Sequence, residues 1–238
     1  MIRAGHAFYP EQAPVDLPLA HLNGQRLLVI DRINLPDWIY TASCKADQLC
    51  WDILFEDTSL EHPFYECSPV LLRLEPHTAL YQDWHTDPDW QQHGLLISYP
   101  GDYQALCQHL RSLIWMRQQD KTLLMRFYAP TILDAWAPSL TAAEARALLG
   151  PAECWSWFSP SAAGEPRWSW MAHTPGQTGQ GQGWFALSEA QVAALDAHDQ
   201  PRQPANLAQP AKAQAEKTPS YIDYWLGYEV DESTPGKE

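Results

Sequence analysis

The chain has 238 residues, 45% of them hydrophobic and 18% charged, which suffices for one large domain or a main domain with an appendage and excludes a small stapled scaffold. A formal net charge of -14 and a pI near 4.9 repel phosphate backbones and argue against nucleic-acid binding; the acidity either serves solubility alone or favours a basic partner surface. Met1 to Gln12 lacks the apolar centre of a secretory signal and no later run is long enough to span a bilayer, so no membrane association is expected and the expected compartment is the cytoplasm.

Residues 1–25 carry Pro10, Pro14 and Pro18 and read as an irregular arm. The strand Arg26 to Asp31 follows, then a helix from Pro36 to Lys45, a short extended segment Trp51 to Phe55 closed by polar residues 56–59, and a strand from Ser68 to Leu74. A helix from His77 to His85 leads to the apolar strand His93 to Tyr99. Pro100-Gly101-Asp102 is a turn with an N-cap for an amphipathic helix, Tyr103 to Arg117. Leu123 to Tyr128 reads as a strand and Thr131 to Trp136 as a helix; Thr141 to Glu144 is a capping box opening a helix that Gly150-Pro151 stops.

Cys154 to Phe158 and Arg167 to Met171 form an expected hairpin in which Trp155 and Trp157 face one side, as do Trp168 and Trp170. Gly176 to Gly183 is a Gly- and Gln-rich loop, and Leu187 to His198 a short helix. Alternating strands and helices argue for crossover units, hence an α/β fold with a mixed, mainly parallel sheet flanked by helices and a smaller aromatic-rich C-terminal part. The expected organisation is a main domain over 26–198, with an α/β lobe at 26–150 and a smaller lobe at 151–198. Residues 199–238 form a Pro-broken linker and flexible tail ending in an aromatic island with Tyr221, Tyr224 and Trp225. That island either folds back on its own domain or is captured by a partner.

No constellation predicts catalysis. His77, His85 and His93 with Asp83, Asp87 and Asp89 are the most metal-like cluster, but their spacing is not that of a zinc site, and no metal or cofactor is expected. Cys107 and His109, two apart on a helix, point to different faces. The odd count of five cysteines fits reduced, mostly buried thiols. Gly-x-Ser-x-Gly does not occur, and the glycines at 176, 179, 181 and 183 lack the Lys-Ser/Thr of a phosphate loop.

Two charged residues stand out. Asp31 closes the first strand, where the crevices of open sheets form, and serves a site or caps a loop. Arg126 interrupts an apolar run and needs a carboxylate, with Asp31 as a candidate; it fixes local geometry or touches a partner. The four hairpin tryptophans pack within the fold or, if one face stays open, form a docking surface.

Together these pieces resemble the type VI secretion effector adaptor or chaperone domain, the family of domain of unknown function 4123, over roughly Arg26 to Phe158. Leu28-Val29-Ile30-Asp31 is similar to its opening strand and acid, Ile53-Leu54-Phe55 with Asp57-Thr58 to a Leu-Phe-x-Gly-Thr-like turn, and Ser68-Pro69-Val70-Leu71 to a small-Pro-x-Leu strand. His93-Gly94-Leu95-Leu96-Ile97-Ser98 resembles its Trp-Gly-x-x-x-Ser strand, with the helix containing Leu110-Arg111-Ser112-Leu113 after it. Leu124-Met125-Arg126-Phe127-Tyr128-Ala129-Pro130 resembles its Arg-Phe/Tyr-Tyr-Asp-Pro signature, and Gly150-Pro151 its Gly-Pro step. Ala129 stands in place of the family's Asp, Thr131 in place of its Arg, and Asp57-Thr58 in place of Gly-Thr.

The resemblance implies a structural motif at Asp31, Arg126, Phe127, Tyr128 and Pro130 and no catalytic residue. It also implies a cytoplasmic, non-enzymatic adaptor that binds a cognate secreted effector and helps load it onto the spike, with the spike protein VgrG as a second partner. Trp155, Trp157, Trp168, Trp170, Tyr221, Tyr224 and Trp225 are the expected partner contacts. A small metal-dependent or hydrolytic enzyme and an immunity-like toxin inhibitor are the alternatives.

Overall fold

The computed structural model describes residues 9–10, 24–45, 49–75, 78–160, 166–172 and 183–199. In chain order its elements begin with β1 (Tyr9–Pro10), β2 (Gln25–Ile30), α1 (Trp38–Lys45), β3 (Trp51–Ile53), α2 (Glu61–Phe64) and β4 (Val70–Leu74). Next come α3 (Ala79–Thr86), α4 (Pro88–Gln92), β5 (Gly94–Tyr99), α5 (Tyr103–Ser112), and a hairpin of β6 (Trp115–Gln118) with β7 (Lys121–Leu124). The chain continues with α6 (Pro130–Trp136), α7 (Ala142–Leu149), β8 (Cys154–Pro160), β9 (Pro166–Ala172) and α8 (Glu189–Asp199).

Seven strands form one sheet in the order β1-β9-β8-β5-β2-β4-β3. Each neighbouring pair in it is antiparallel. This corrects the mainly parallel sheet expected from the sequence. The crossovers inferred from strand-helix-strand succession are present, but each spans a gap. β2 and β3 run the same way across α1, and β4 lies between them; β4 and β5 run the same way across α3 and α4, and β2 lies between them. These are split β-α-β units: the chain supplies parallel crossovers and fills each space with an antiparallel strand.

Side chains alternate along each strand, and both faces of the sheet are covered. Leu27, Val29, Leu71, Leu95, Ile97, Trp155 and Trp157 point to one layer, where α5, the β6–β7 hairpin, α6 and α7 supply Leu110, Met116, Leu133, Trp136 and Leu148. Leu28, Ile30, Val70, Leu72 and Leu96 point to the other, against Trp38, Leu80, Trp84 and Trp90 of α1, α3 and α4. The result is a three-layered helix-sheet-helix arrangement.

Gly94 marks how closely the second layer lies, since a Cβ there would stand 2.9 Å from Trp84 Nε1 and from the Trp90 carbonyl oxygen. β8 and β9 extend the central sheet and share both of its cores.

Local signals in the sequence are reproduced with shifted bounds. Thr141 and Glu144 form the reciprocal capping box of α7, and Asp102 caps α5 by accepting from the Gln104 N–H at 2.9 Å. The amphipathic run 103–117 divides: the helix ends at Ser112, and residues 115–118 become β6. Residues 121–124 pair back on β6 as β7 rather than entering the main sheet, and residues 126–128 lie in the turn that follows.

Candidate functional site

β2 ends in Asp31, whose N–H donates to the His93 carbonyl at 2.9 Å, fixing the strand end against the start of β5. The Asp31 side chain is buried and accepts from the Arg126 guanidinium and from Asn34 Nδ2, the latter at 3.0 Å. Its own carbonyl accepts from the N–H groups of Asn34 and Leu35, closing the turn after the strand. Arg126 reaches it from the β7–α6 turn, not from a strand as the sequence led us to expect. That turn is held by Met125 N–H on the Ile114 carbonyl at 2.7 Å and by Ala129 N–H on the Arg126 carbonyl at 3.0 Å.

The rest of the motif packs. Phe127 is fully buried and lies tilted on Trp155 at 5.5 Å. Tyr128 is buried, and Pro130 occupies the first turn of α6, where its missing N–H costs nothing. Ala129 sits at the N-cap and offers no side-chain acceptor. The Asp31–Arg126 pair is therefore a clamp between the central strand and α6, with both charges engaged inside the protein.

The same end of the sheet carries an apolar rim. Among the described residues, the large hydrophobic side chains that stand exposed are Ile33 (51%), Ile39 (42%), Tyr40 (73%) and Tyr65 (45%). Ile33 lies in the turn after β2, and Ile39 and Tyr40 in the first turn of α1. Tyr65 lies in the connection from β3 to β4. Because β2 and β3 run the same way, these connections all leave from one end of the sheet, the end holding Asp31.

The Arg32 guanidinium carbon lies 5.3 Å from the centre of the Tyr65 ring, a cation–π contact. Its Nε and Nη2 are shut from solvent and, among the described residues, meet no hydrogen-bond acceptor. Sequence reasoning missed Arg32, Ile33 and Tyr65. The signal was present: an isoleucine directly after a strand-closing Asp-Arg, and a tyrosine in a polar connection, have no periodic core to join.

The hairpin tryptophans are placed by register. Trp157 pairs with Ser169 and Trp155 with Met171, so Trp155 and Trp157 share one face, and Trp168 and Trp170 lie on the other. Trp155 and Trp157 are fully buried, and Trp157 Nε1 donates to Asp134 Oδ1 at 2.9 Å. Trp168 is buried with its ring against Trp84 at 4.7 Å, and Trp170 is half-buried. Tyr221, Tyr224 and Trp225 lie outside the described residues.

The histidine and aspartate cluster is taken up by packing. Asp83 pairs with Lys45, Asp87 caps α4 by accepting from the Asp89 N–H at 2.9 Å, and His85 meets the Tyr81 ring edge to face at 4.5 Å. Burial pushes the pKa of His85 down. His77 lies outside the described residues. Among the described residues, no three or more His, Cys, Asp or Glu side chains are grouped to hold a metal ion.

All five cysteines are free; Cys107 and Cys154 are buried, whereas Cys44 and Cys50 are exposed and Cys67 intermediate, so the expected burial holds for two of them. Burial pushes the Cys154 thiol up to about 12 and raises that of Cys107, which leaves both protonated and poorly nucleophilic. On α5, burial followed by donation to Asp52 Oδ2 at 2.5 Å holds the Tyr103 phenol protonated, with the Arg73 guanidinium 4.1 Å from its ring centre.

Residues 28–147 match the family described as Domain of unknown function (DUF4123), and the chain belongs to it. No curated protein and no solved structure matches the chain significantly. Among the described residues no helix is long and apolar enough to cross a membrane.

Proposed function

We propose that this protein is a cytoplasmic, non-enzymatic adaptor that binds one cognate type VI secretion effector and helps load it onto the VgrG spike. The observation that carries this reading is that exposed Ile33 and Tyr65 stand at the end of the sheet where β2 and β3 finish, with Arg32 against the Tyr65 ring. Apolar side chains gathered at one end mark a protein-docking surface, and tyrosine and arginine are enriched among the residues that dominate binding. The resemblance of its motifs to effector adaptors supports the class of partner, and membership of the DUF4123 family agrees with that resemblance.

The test is deletion of the gene in its native cell followed by mass spectrometry of the secreted proteins. The adaptor reading expects one effector to vanish from the secreted fraction while the others persist, and that effector to co-purify with the tagged protein. Unchanged secretion would refute it. Sensitivity of the deletion strain to a sister cell's toxin would instead identify an inhibitor, and stoichiometric metal with turnover in the purified protein an enzyme.

A further inference from the structure

We propose that Arg32, Ile33 and Tyr65 form the anchor point for the effector, taking a short apolar segment that carries a single carboxylate. This rests on the adaptor reading above and specifies where and how the partner is held. Ile33 and Tyr65 are 51% and 45% exposed and are bridged by Arg32, which follows the buried Asp31 directly and lies over the Tyr65 ring.

The neighbouring cation, Arg126, is committed to Asp31. Among the described residues Arg32 has no such carboxylate: its Nε and Nη2 meet no acceptor there, and the Tyr65 ring beside it is itself nearly half exposed and rooted outside the sheet. Swinging that ring aside leaves the sheet intact and opens the guanidinium to an incoming carboxylate, whose two oxygens match the planar fork of Arg.

Charge narrows the occupant. A chain of formal net charge -14 repels a run of acidic residues, so the carboxylate belongs in an otherwise neutral or basic segment. The same charge opposes a second copy of this chain as the occupant. Arg32 thus fixes register while Ile33 and Tyr65 supply the apolar contact, the division between specificity and burial seen in protein interfaces.

The experiment uses the full chain in its native cell, with Tyr65→p-benzoylphenylalanine as a photo-crosslinking probe and the effector whose secretion depends on this protein as the partner. Irradiation is expected to join position 65 to that effector, beside an Asp or Glu. Arg32→Glu and Ile33→Asp are each expected to lower co-purified effector by about tenfold or more at about 150 mM salt, with Arg32→Lys retaining most of it.

All three positions lie on the surface or rim, and unchanged circular dichroism and melting establish that the variants fold. Full capture by Arg32→Glu and Ile33→Asp overturns the proposal, as does a crosslink to residues 221–230 of the same chain or to a second copy. If deletion of the gene leaves every effector secreted, the adaptor reading itself has failed; if deletion removes one effector while the rim variants still carry it, only the anchor point has.

Discussion

Arg126 and Asp31 stand 95 positions apart in the chain and meet as an ion pair where the central strand ends, with 20% of the guanidinium side chain and 5% of the carboxylate side chain exposed. Removing one partner strands the other. Arg126→Met should lower stability by about 3 kcal/mol, because the Asp31 carboxylate stays buried with Asn34 as its remaining side-chain donor. The double variant Asp31→Leu with Arg126→Met should recover a large part of that loss, since no uncompensated charge remains. Urea unfolding of the four proteins gives the coupling; strictly additive effects would show that the two charges do not act as a pair.

The pairing of these two residues was legible in the sequence because a guanidinium in an apolar run requires a carboxylate. Its setting was not: Leu123 to Tyr128 reads as a strand, yet residues 121–124 form a local hairpin with β6 and residues 126–128 lie in the turn that follows. Nothing local distinguishes the two fates, since either buries Leu123 and Leu124 to some degree.

Strand order was hidden for a similar reason. A crossover predicts that β2 and β3 run the same way, which they do, but not that β4 will insert between them. Caps survived translation best because Thr141 with Glu144, and Asp102, act on backbone within a few residues. The rim of Ile33 and Tyr65 needed the topology, which alone brings connections more than thirty residues apart to one end of the sheet.

Gly150 follows α7 with φ at +55°, and a Cβ there would fall 2.4 Å from the His109 ring. Both terms oppose a side chain: the backbone lies in a region L-residues avoid, and the ring beneath is fully buried and cannot withdraw. Gly150→Ala should cost about 2–4 kcal/mol. Gly101, whose added Cβ would meet nothing within 4 Å, provides the control, and Gly101→Ala should shift the urea midpoint far less. Equal midpoints for the two variants would remove the proposed contact.

Trp157 tests whether the hairpin is core or docking surface. Its ring is fully buried beneath α6, and its Nε1 donates to Asp134 at 2.9 Å. Trp157→Phe loses that bond and part of the ring, for about 1–2 kcal/mol, whereas Trp157→Ala leaves a cavity and costs about 3–5 kcal/mol. Thermal and urea unfolding measure both. If Trp157→Ala left stability unchanged while abolishing effector capture, the side chain would be a contact residue and not a core one.

His109 makes stability depend on pH. Its ring is fully buried between α5 and α7, and Nε2 lies 2.8 Å from the Leu148 carbonyl; a carbonyl only accepts, so Nε2 carries the proton. Burial lowers its pKa below the ordinary 6.5, outweighing the opposite pull of that carbonyl. The unfolded chain therefore binds a proton near pH 6.5 while the folded protein still refuses it. Over that interval the unfolded state holds more protons, so stability falls as pH falls, by up to about 1.4 kcal/mol per pH unit for this group. His85, lowered by burial as well, adds a loss of the same sign. Urea unfolding at about pH 7.5 and about pH 5.5 should show the decline, and His109→Gln, which keeps an N–H donor but does not titrate, should flatten it. Parallel curves for the two proteins would mean that His109 titrates alike in the folded and unfolded states, against its burial.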